Sequence, residues 1–220
     1  MEAMEREREA LAATARKLAA DELVIGTSGN LSVRTAERVA VSPTGAVLAE
    51  LEAADVAVVD RDGRQVAGPL APTSELALHL GIYARYGSGA VVHTHAPMAT
   101  ALGLVLDELP CVHYEMLGLG GAVRVVPYAT FGTSELAEGV LAALEDRAAA
   151  LMANHGAVSH GPSLDDAARA TQLLEWACTL YWRAATIGAP RALDPEQLGA
   201  VADTIAALDY GAPKAADPGR

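Results

Sequence analysis

The amino-acid sequence predicts an α/β fold in which a mixed β-sheet carries helices on both faces. Three or four consecutive strands occupy the first third of the chain, and strands alternate with amphipathic helices after Pro72. The chain has 220 residues and is 51% hydrophobic, so one full core can offset the entropy lost on ordering. We therefore expect a single domain over residues 1–210 and a flexible tail over residues 211–220.

A helix followed by strands opens the predicted fold. Residues 4–20 show helical spacing of apolar side chains, with Glu and Arg on the opposite face. The apolar positions are Leu11, Ala12, Ala15 and Leu18. A turn-rich loop then leads into an alternating strand, and a second strand is broken by Pro43 and Gly45. The pair Asp62 and Gly63 between two apolar runs predicts a hairpin.

Helices and strands alternate in the rest of the predicted domain. A helix is expected over TSELALHLGIYARY, with Ser74 as its cap and Glu75 in its first turn. A long final helix is expected to be capped by Ser163 and closed by Gly188. The elements predicted between these two helices are a strand GAVVHTH, a helix APMATALGLVL, a strand RVVPYAT, a helix TSELAEGVLAALED and a strand AALMANHGAVSHG.

The charge balance argues against several classes of protein. The chain has 16 basic and 28 acidic side chains and a formal net charge of -12, without the clustered Lys and Arg that nucleic acids or anionic membranes require. The charged first segment does not match a signal peptide, and no apolar run reaches membrane-spanning length. Cys111 and Cys178 have no CxxC pairing. We expect a cytoplasmic protein with reduced thiols that binds neither nucleic acid nor membranes.

Lysine is scarce, and its placement restricts the chemistry. The sequence contains only Lys17, in the charged first segment, and Lys214, in the tail. A lysine that forms a Schiff base must be desolvated or lie beside another cation, and neither position offers that. Carbonyl chemistry in this protein therefore needs a different electrophile.

Two histidines on one predicted strand indicate a metal site. His93 and His95 alternate in VVHTH, so both side chains lie on one face, about 7 Å apart along the strand. His155 is the best third ligand, because it follows an apolar strand and Gly156 leaves room for an ion to approach. Three neutral imidazoles with one open position are typical of a catalytic zinc site.

Glu75 and three hydroxyl-bearing loops complete the predicted site. Thr73 and Ser74 present hydroxyl and backbone NH groups at a helix start, and Glu75 lies between this anion site and the histidines. Two other loops have the composition of a phosphate cradle. They contain Gly26, Thr27, Ser28, Gly29 and Asn30, and Ser42, Pro43, Thr44 and Gly45. His79 is predicted to be a partly exposed helix residue and His160 a surface residue.

Seven motifs, in this order, resemble the class II aldolase and adducin head family over about residues 5–210. They are GTSGNLSVR, VSPTG, PTSE, VVHTH, HY, PYATFGT and NHG. An ordered run of this kind is far more specific than any single motif. The resemblance implies a three-layer αβα fold with a largely antiparallel central sheet. It also implies a ring-shaped homotetramer with active sites between subunits.

The resemblance further implies roles for individual residues. The zinc ligands match His93, His95 and His155, and the proton-transferring acid/base matches Glu75. Tyr114 matches a tyrosine that the adjacent subunit contributes. The phosphate-binding and substrate-binding positions match Gly29, Asn30, Thr44, Gly45, Thr73, Ser74 and Tyr210.

The implied reaction is reversible cleavage of a ketose 1-phosphate, such as L-fuculose 1-phosphate, to dihydroxyacetone phosphate and a short aldehyde such as L-lactaldehyde. Zinc would stabilise the enediolate after Glu75 removes a proton, in place of a lysine imine. Mn²⁺ or Co²⁺ would also suit imidazole ligands. Tyr114 is the candidate for proton exchange with the aldehyde oxygen. Glu115 adds charge near the aldehyde and leaves its identity open.

Three alternatives share parts of this pattern. A sugar-phosphate 4-epimerase of the family is expected to carry aspartate at the position of Glu75, so glutamate favours the aldolase. A dehydratase acting on methylthioribulose 1-phosphate would share the histidines and the glutamate, and the sequence leaves it open. A non-enzymatic interaction module like the adducin head would not need the histidines and Glu75 that this chain retains.

Overall fold

A computed structural model, which describes residues 4–208, has a nine-stranded mixed sheet at its centre. The strands are β1 (Asn30–Arg34), β2 (Arg38–Val41), β3 (Ala57–Asp60), β4 (Gln65–Ala67), β5 (Ala90–Thr94), β6 (Glu108–Leu109), β7 (Val123–Val126), β8 (Ala149–Met152) and β9 (Gly156–Gly161). Their spatial order is β4-β3-β2-β1-β5-β9-β8-β7-β6. Neighbouring strands are antiparallel except β7 and β8, which are parallel.

Helices cover both faces of this sheet. The α-helices are α1 (Glu5–Ala20), α2 (Leu76–Tyr86), α3 (Pro97–Gly103), α4 (Ser134–Ala143), α5 (Leu164–Ile187) and α6 (Pro195–Leu208). Apolar side chains of α1, α3 and α5 form one core with one face of the sheet, and those of α2 and α4 form a second core with the other. The α/β class and the three-layer arrangement are therefore confirmed.

Strand β5 shows why the sheet can support two cores. Ala90 and Val92 belong to the core with α1, α3 and α5, whereas Val91 belongs to the core with α2 and α4. Successive side chains of a strand point to opposite faces. His93 therefore lies on the face of Val91, towards α2.

One predicted strand is two strands. The segment AALMANHGAVSHG forms β8 and β9, which pair in an antiparallel hairpin. Asn154 lies in the connecting turn with φ 56°, a left-handed conformation that Asn tolerates better than most residues. The prediction of a single strand was wrong because the short polar turn was not separated from the apolar residues on either side.

The start of α2 also differs from the prediction. Glu75, not Ser74, occupies the N-cap position, and no side chain makes a capping hydrogen bond there. The Thr73 hydroxyl instead accepts a hydrogen bond from the Glu75 backbone NH at 3.3 Å. Ser74 is exposed, so its hydroxyl remains available to the cavity described below.

Five elements of the described chain were not predicted from the sequence: β6, α6 and the three 3-10 helices Leu48–Glu50, Ala53–Asp55 and Tyr114–Leu119. Strand β6 has two residues and is defined by its pairing with β7, and α6 has no buried residue that would give a strong apolar pattern. Tyr210 and the tail predicted over residues 211–220 lie outside the described residues. Within residues 4–208, no helix combines the length and apolar character needed to cross a membrane.

Candidate metal centre and active site

Three histidines from two neighbouring parts of the sheet converge at one point. His93 lies on β5, His95 follows its end, and His155 lies in the turn between β8 and β9. Because β9 pairs with β5, this turn is brought beside the end of β5. One ring nitrogen of each histidine lies within 4.8 Å of the others. The fold therefore brings the three predicted imidazoles close enough together to share one ion.

Glu75 lies against the same histidines. Its Oε2 is 3.2 Å from His93 Nε2, and its Oε1 is 3.6 Å from His155 Nε2. The residue is only 7% exposed, and Oε1 is buried without a hydrogen-bond partner. A buried carboxylate oxygen with unused acceptor capacity, directed at imidazoles, fits a site built around a cation.

The hydrogen bond of His93 fixes which of its nitrogens can bind a metal. The Nδ1 atom donates to the Ala157 backbone carbonyl at 2.9 Å, so Nε2 keeps its lone pair. This Nε2 faces Glu75 and lies 3.1 Å from His95 Nε2. A ligand histidine held at its other nitrogen by a carbonyl is common in metal sites. The three histidines can thus hold a divalent cation.

Electrostatics keep the site in a suitable protonation state. Burial and the neighbouring imidazoles lower the pKa of His95 to about 4, and burial lowers the pKa of His155. Burial alone would raise the pKa of Glu75, but His93 and the Asn30 amide outweigh it, so the pKa lies below its ordinary value. At neutral pH the site has neutral rings of His95 and His155 and an ionised carboxylate.

Two glycines allow the chain to approach these ligands closely. Gly29 has φ +95°, and a Cβ there would lie 2.8 Å from the His93 carbonyl oxygen. A Cβ at Gly156 would lie 2.4 Å from the Thr94 carbonyl oxygen and 2.9 Å from His95 Cδ2. Gly156 therefore allows β9 to pack against the end of β5.

The three predicted anion loops open into one cavity of about 390 Å³. Backbone hydrogen bonds hold two of them together, from Thr44 NH to the Ala71 carbonyl at 3.0 Å and from Thr73 NH to the Ser42 carbonyl at 3.1 Å. The residues lining the cavity are Thr27, Ser28, Gly29, Asn30, Pro43, Thr44, Gly45, Thr73, Ser74, Glu75, His95, Phe131 and His155. The cavity thus joins hydroxyl-rich loops to the metal centre.

Of the two tyrosines assigned to the site, the one that the structure describes lies elsewhere. Tyr114 begins the 3-10 helix, is 37% exposed and lines a separate cavity with residues of α6. Within one chain, Tyr114 is not among the residues lining the cavity of Glu75. The structure does not describe Tyr210.

Two histidines were placed wrongly from the sequence. His79 is fully buried, and its Nε2 lies 2.6 Å from Asn30 Oδ1. His160 is a half-buried residue of β9, with Nδ1 2.7 Å from Ser88 Oγ and Nε2 2.9 Å from the Arg147 carbonyl. In both cases, partners from distant elements satisfy the ring.

Two contributions to the site were not anticipated from the sequence. Asn30 was assigned to phosphate, but its side chain also donates from Nδ2 to Glu75 Oε2 at 2.9 Å. Phe131 lines the cavity and is 66% exposed. Its signal was its place in the motif PYATFGT, which follows β7.

The fold and the site define a class of protein: an α/β protein in which three histidines that could hold a metal ion lie beside a buried carboxylate. Residues 9–182 match the family described as class II aldolase and adducin N-terminal domain. The chain belongs to this family. The family assignment and the expected enzyme class, a class II aldehyde-lyase, are therefore confirmed.

Named relatives and a solved structure agree with this assignment. The chain is 35% identical to 5-deoxy-D-ribulose 1-phosphate aldolase of Bacillus thuringiensis serovar kurstaki, covering 89% of this chain and 93% of that protein. It is 38% identical to 5-methylthioribulose-1-phosphate/5-deoxyribulose-1-phosphate aldolase of Rhodospirillum rubrum, over 87% of each chain. A structure of L-fuculose 1-phosphate aldolase superposes with a TM-score of 0.88 at 33% identity, covering 93% of this chain and 98% of that one.

Proposed function

We propose that the protein is a metal-dependent aldolase that reversibly cleaves a ketose 1-phosphate to dihydroxyacetone phosphate and a short aldehyde. The observation that carries this proposal is a shared cavity. Glu75, His95 and His155 line the same space as three loops rich in hydroxyl and backbone NH groups. Such a cavity can hold a phosphate at one end and a polarised carbonyl at the other.

His93, His95 and His155 would hold the metal. Their neutral imidazoles suit Zn²⁺, and also Mn²⁺ or Co²⁺. When bound, such an ion acts as a Lewis acid that stabilises negative charge on the carbonyl and hydroxyl oxygens of the substrate. The scarcity of lysine agrees with this chemistry, because Lys17 lies near the end of α1 and is exposed.

Glu75 is the proposed acid/base. In the direction of synthesis it takes a proton from the hydroxymethyl carbon of dihydroxyacetone phosphate, and in cleavage it returns the proton to that carbon. Its lowered pKa keeps it ionised and ready to accept a proton. Its 7% exposure restricts competing proton exchange with water.

The three loops are proposed to bind the phosphate. Helix α2 begins beside Thr73 and Ser74, so its positive dipole end faces the cavity. Gly29, Thr44 and Gly45 supply further backbone or hydroxyl groups. Fixing the phosphate orients the reacting carbons with respect to Glu75.

The aldehyde half is proposed to be completed by a second subunit. We assign proton exchange with the aldehyde oxygen to Tyr114 of an adjacent subunit in a homotetramer. The position of Tyr114, exposed and outside the cavity of its own chain, supports this assignment. Tyr210 is assigned to substrate binding by family resemblance.

The names of the relatives favour a deoxygenated ketose 1-phosphate. Aldol cleavage of 5-deoxyribulose 1-phosphate releases acetaldehyde, its 5-methylthio analogue releases methylthioacetaldehyde, and L-fuculose 1-phosphate releases L-lactaldehyde. The exposed ring of Phe131 gives the cavity an apolar component that suits a methyl or methylthio group. Preferences among these aldehydes are expected to be about 10- to 200-fold in kcat/KM.

A panel of these three ketose 1-phosphates tests the proposal. The purified protein should release dihydroxyacetone phosphate from at least one, measured with a coupled reductase. Exhaustive chelation should abolish release, and Zn²⁺ should restore it. Loss of water without dihydroxyacetone phosphate would indicate the dehydratase, and an epimeric sugar phosphate would indicate the 4-epimerase. Full activity after chelation would contradict the metal mechanism.

A further inference from the structure

A continuous chain of buried hydrogen bonds extends from Glu75 away from the cavity. Asn30 Nδ2 lies 2.9 Å from Glu75 Oε2, and Asn30 Oδ1 lies 2.6 Å from His79 Nε2. His79 Nδ1 lies 2.7 Å from Ser32 Oγ, which is 2.6 Å from the Tyr83 hydroxyl. All five residues are at most 7% exposed. In a buried network, hydrogen bonds are stronger than in water, so each of these contacts restricts the orientation of the groups that it joins.

The chain is built from two regular elements. Asn30 and Ser32 lie two residues apart on β1 and share one face of the strand. His79 and Tyr83 lie four and eight residues after Glu75, on one face of α2. The helix therefore presents a ladder of side chains to the strand, with Glu75 at the end nearest the histidines.

The hydrogen bond between Asn30 and Glu75 determines which atom is the donor and which is the acceptor in each of the other hydrogen bonds of the chain. An ionised carboxylate only accepts, so Asn30 must direct its NH₂ group at Glu75 and its carbonyl oxygen at His79. His79 Nε2 must then carry the proton, which leaves Nδ1 as an acceptor. Ser32 donates to that Nδ1 and accepts from Tyr83. A reversed chain would place the Asn30 oxygen against the Glu75 oxygen, two acceptors facing each other.

This chain is suited to holding groups in place rather than moving protons. An amide does not pass on a proton without becoming an imidic acid, so Asn30 interrupts any relay between Glu75 and His79. Burial also lowers the pKa of His79 to about 3 and raises the pKa of Tyr83, which keeps both groups neutral at physiological pH.

We propose that His79 is a positioning residue, whose Nε2–H fixes the Asn30 amide so that its NH₂ group holds the Glu75 carboxylate in its reactive orientation. The inference rests on the proposed function of Glu75 as the acid/base. Without the His79 donor, the Asn30 amide can rotate and present its oxygen to Glu75, which would turn the carboxylate away. His79 touches neither substrate nor metal in this assignment.

Two substitutions of His79 separate positioning from packing. The amide nitrogen of H79Q can occupy the place of Nε2 and still donate to Asn30, whereas the shorter amide of H79N reaches only the place of Nδ1, near Ser32. Each variant loses one of the two ring hydrogen bonds. The two variants should therefore have similar stabilities. Only H79N should lose the hydrogen bond to Asn30 Oδ1 and leave the Asn30 amide free to rotate.

Loss of positioning by His79 is expected to lower kcat while changing KM little. H79N should lower kcat for aldol cleavage about 10- to 100-fold, the usual cost of removing a group that orients an active-site residue. KM for the ketose phosphate and the bound zinc per subunit should change less than about threefold. H79Q should recover most of the lost kcat. Equal kcat values for H79N and H79Q, or a loss of zinc in step with activity, would overturn the proposal.

His160 supplies a matched control. Its ring makes the same type of contacts, to a serine hydroxyl and to a carbonyl oxygen, but it has no link to Glu75. H160N should lower the thermal midpoint without lowering kcat. A comparable loss of kcat in H160N would show that loosening any histidine that contacts the sheet lowers kcat, which contradicts a specific role for His79.

The tautomer of His79 can be tested without any turnover. In zinc-loaded protein labelled with ¹⁵N-histidine, solid-state NMR distinguishes protonated from unprotonated ring nitrogens, and the His79 signals are those that H79Q lacks. A neutral ring protonated at Nε2 is expected. Protonation at Nδ1 would overturn the proposal even if the enzyme is an aldolase. Failure of all ketose phosphates to react would instead overturn the proposed function.

Discussion

At the scale of single residues, the site depends on opposing effects at Glu75. Desolvation raises the pKa of the Glu75 carboxyl, whereas His93 and the Asn30 amide lower it. The net pKa lies below its ordinary value, so the carboxylate is ionised at neutral pH. His79 lies further from the cavity and experiences mainly desolvation, which keeps it neutral. Burial thus disfavours the charged form of both Glu75 and His79. Neighbouring groups overcome this effect only at Glu75, the residue assigned to proton transfer.

The buried His79 predicts a pH dependence of stability. Its pKa is about 3 when folded and about 6.5 when unfolded, so between these values the unfolded state binds more protons. The free energy of unfolding should therefore fall as the pH decreases below about 6.5. From pH 7 to pH 5, this histidine should contribute about 2 kcal/mol of that loss.

Urea unfolding of metal-free wild type and H79Q at both pH values measures this contribution. H79Q lacks the titrating ring, so its stability should depend less on pH, although it is less stable at pH 7. The other histidines and Glu75 are common to both proteins and cancel in the comparison. An identical pH dependence in the two proteins would show that His79 does not titrate on unfolding.

At the scale of elements, the sequence predicted the placement of site residues best where their positions depend on the spacing of residues within one strand. Strand alternation placed His93 and His95 on one face at the end of β5, and the apolar run before His155 placed that histidine just after β8. The ladder on α2 could not be predicted in the same way. The spacing of Glu75, His79 and Tyr83 was visible, but the packing of this face against β1 depends on tertiary structure.

The loop before β1 predicts a large effect of one added methyl group. G29A would force a non-glycine residue into φ +95° and place its Cβ 2.8 Å from the His93 carbonyl oxygen. To relieve this contact, β1 and β5 would have to move apart beside His93, a proposed metal ligand. We expect a loss of about 3 kcal/mol or more in the free energy of unfolding, together with weaker zinc binding.

Gly26 provides the control for G29A in the same loop. It also has positive φ, +59°, but a Cβ there would meet nothing within 4 Å. G26A should therefore cost only about 1 kcal/mol, from the backbone conformation alone, and should leave zinc binding unchanged. Urea unfolding and metal titration of both variants give the comparison. Equal effects in the two would contradict a steric role for Gly29.

At the scale of the whole molecule, the described chain assembles one half of the proposed site more fully than the other. The histidines, Glu75 and the loops assigned to phosphate converge within residues 27–155, whereas Tyr114 lines a different cavity. No pattern within a single sequence specifies the relative placement of two subunits. The separation of Tyr114 from Glu75 could therefore be anticipated only through family resemblance.

Mixed oligomers test whether adjacent subunits share a site. E75Q and Y114F should each be nearly inactive in cleavage when purified alone. After unfolding and refolding together in equal amounts, about a quarter of the wild-type activity should return, because a quarter of subunit pairs combine an intact Glu75 with an intact Tyr114. Mixing without refolding is the control. Absence of recovery, with heteromers present by native mass spectrometry, would contradict a shared site.

The order of strands in the sheet also bears on when the chain could acquire the proposed metal ion. Asn30 pairs with His93 and His93 with Val158, so the centre joins parts of the polypeptide that are synthesised far apart in time. A nascent chain that has not yet released β9 from the ribosome lacks the turn that presents His155. The metal is therefore expected to bind only after the central strands have been synthesised and paired.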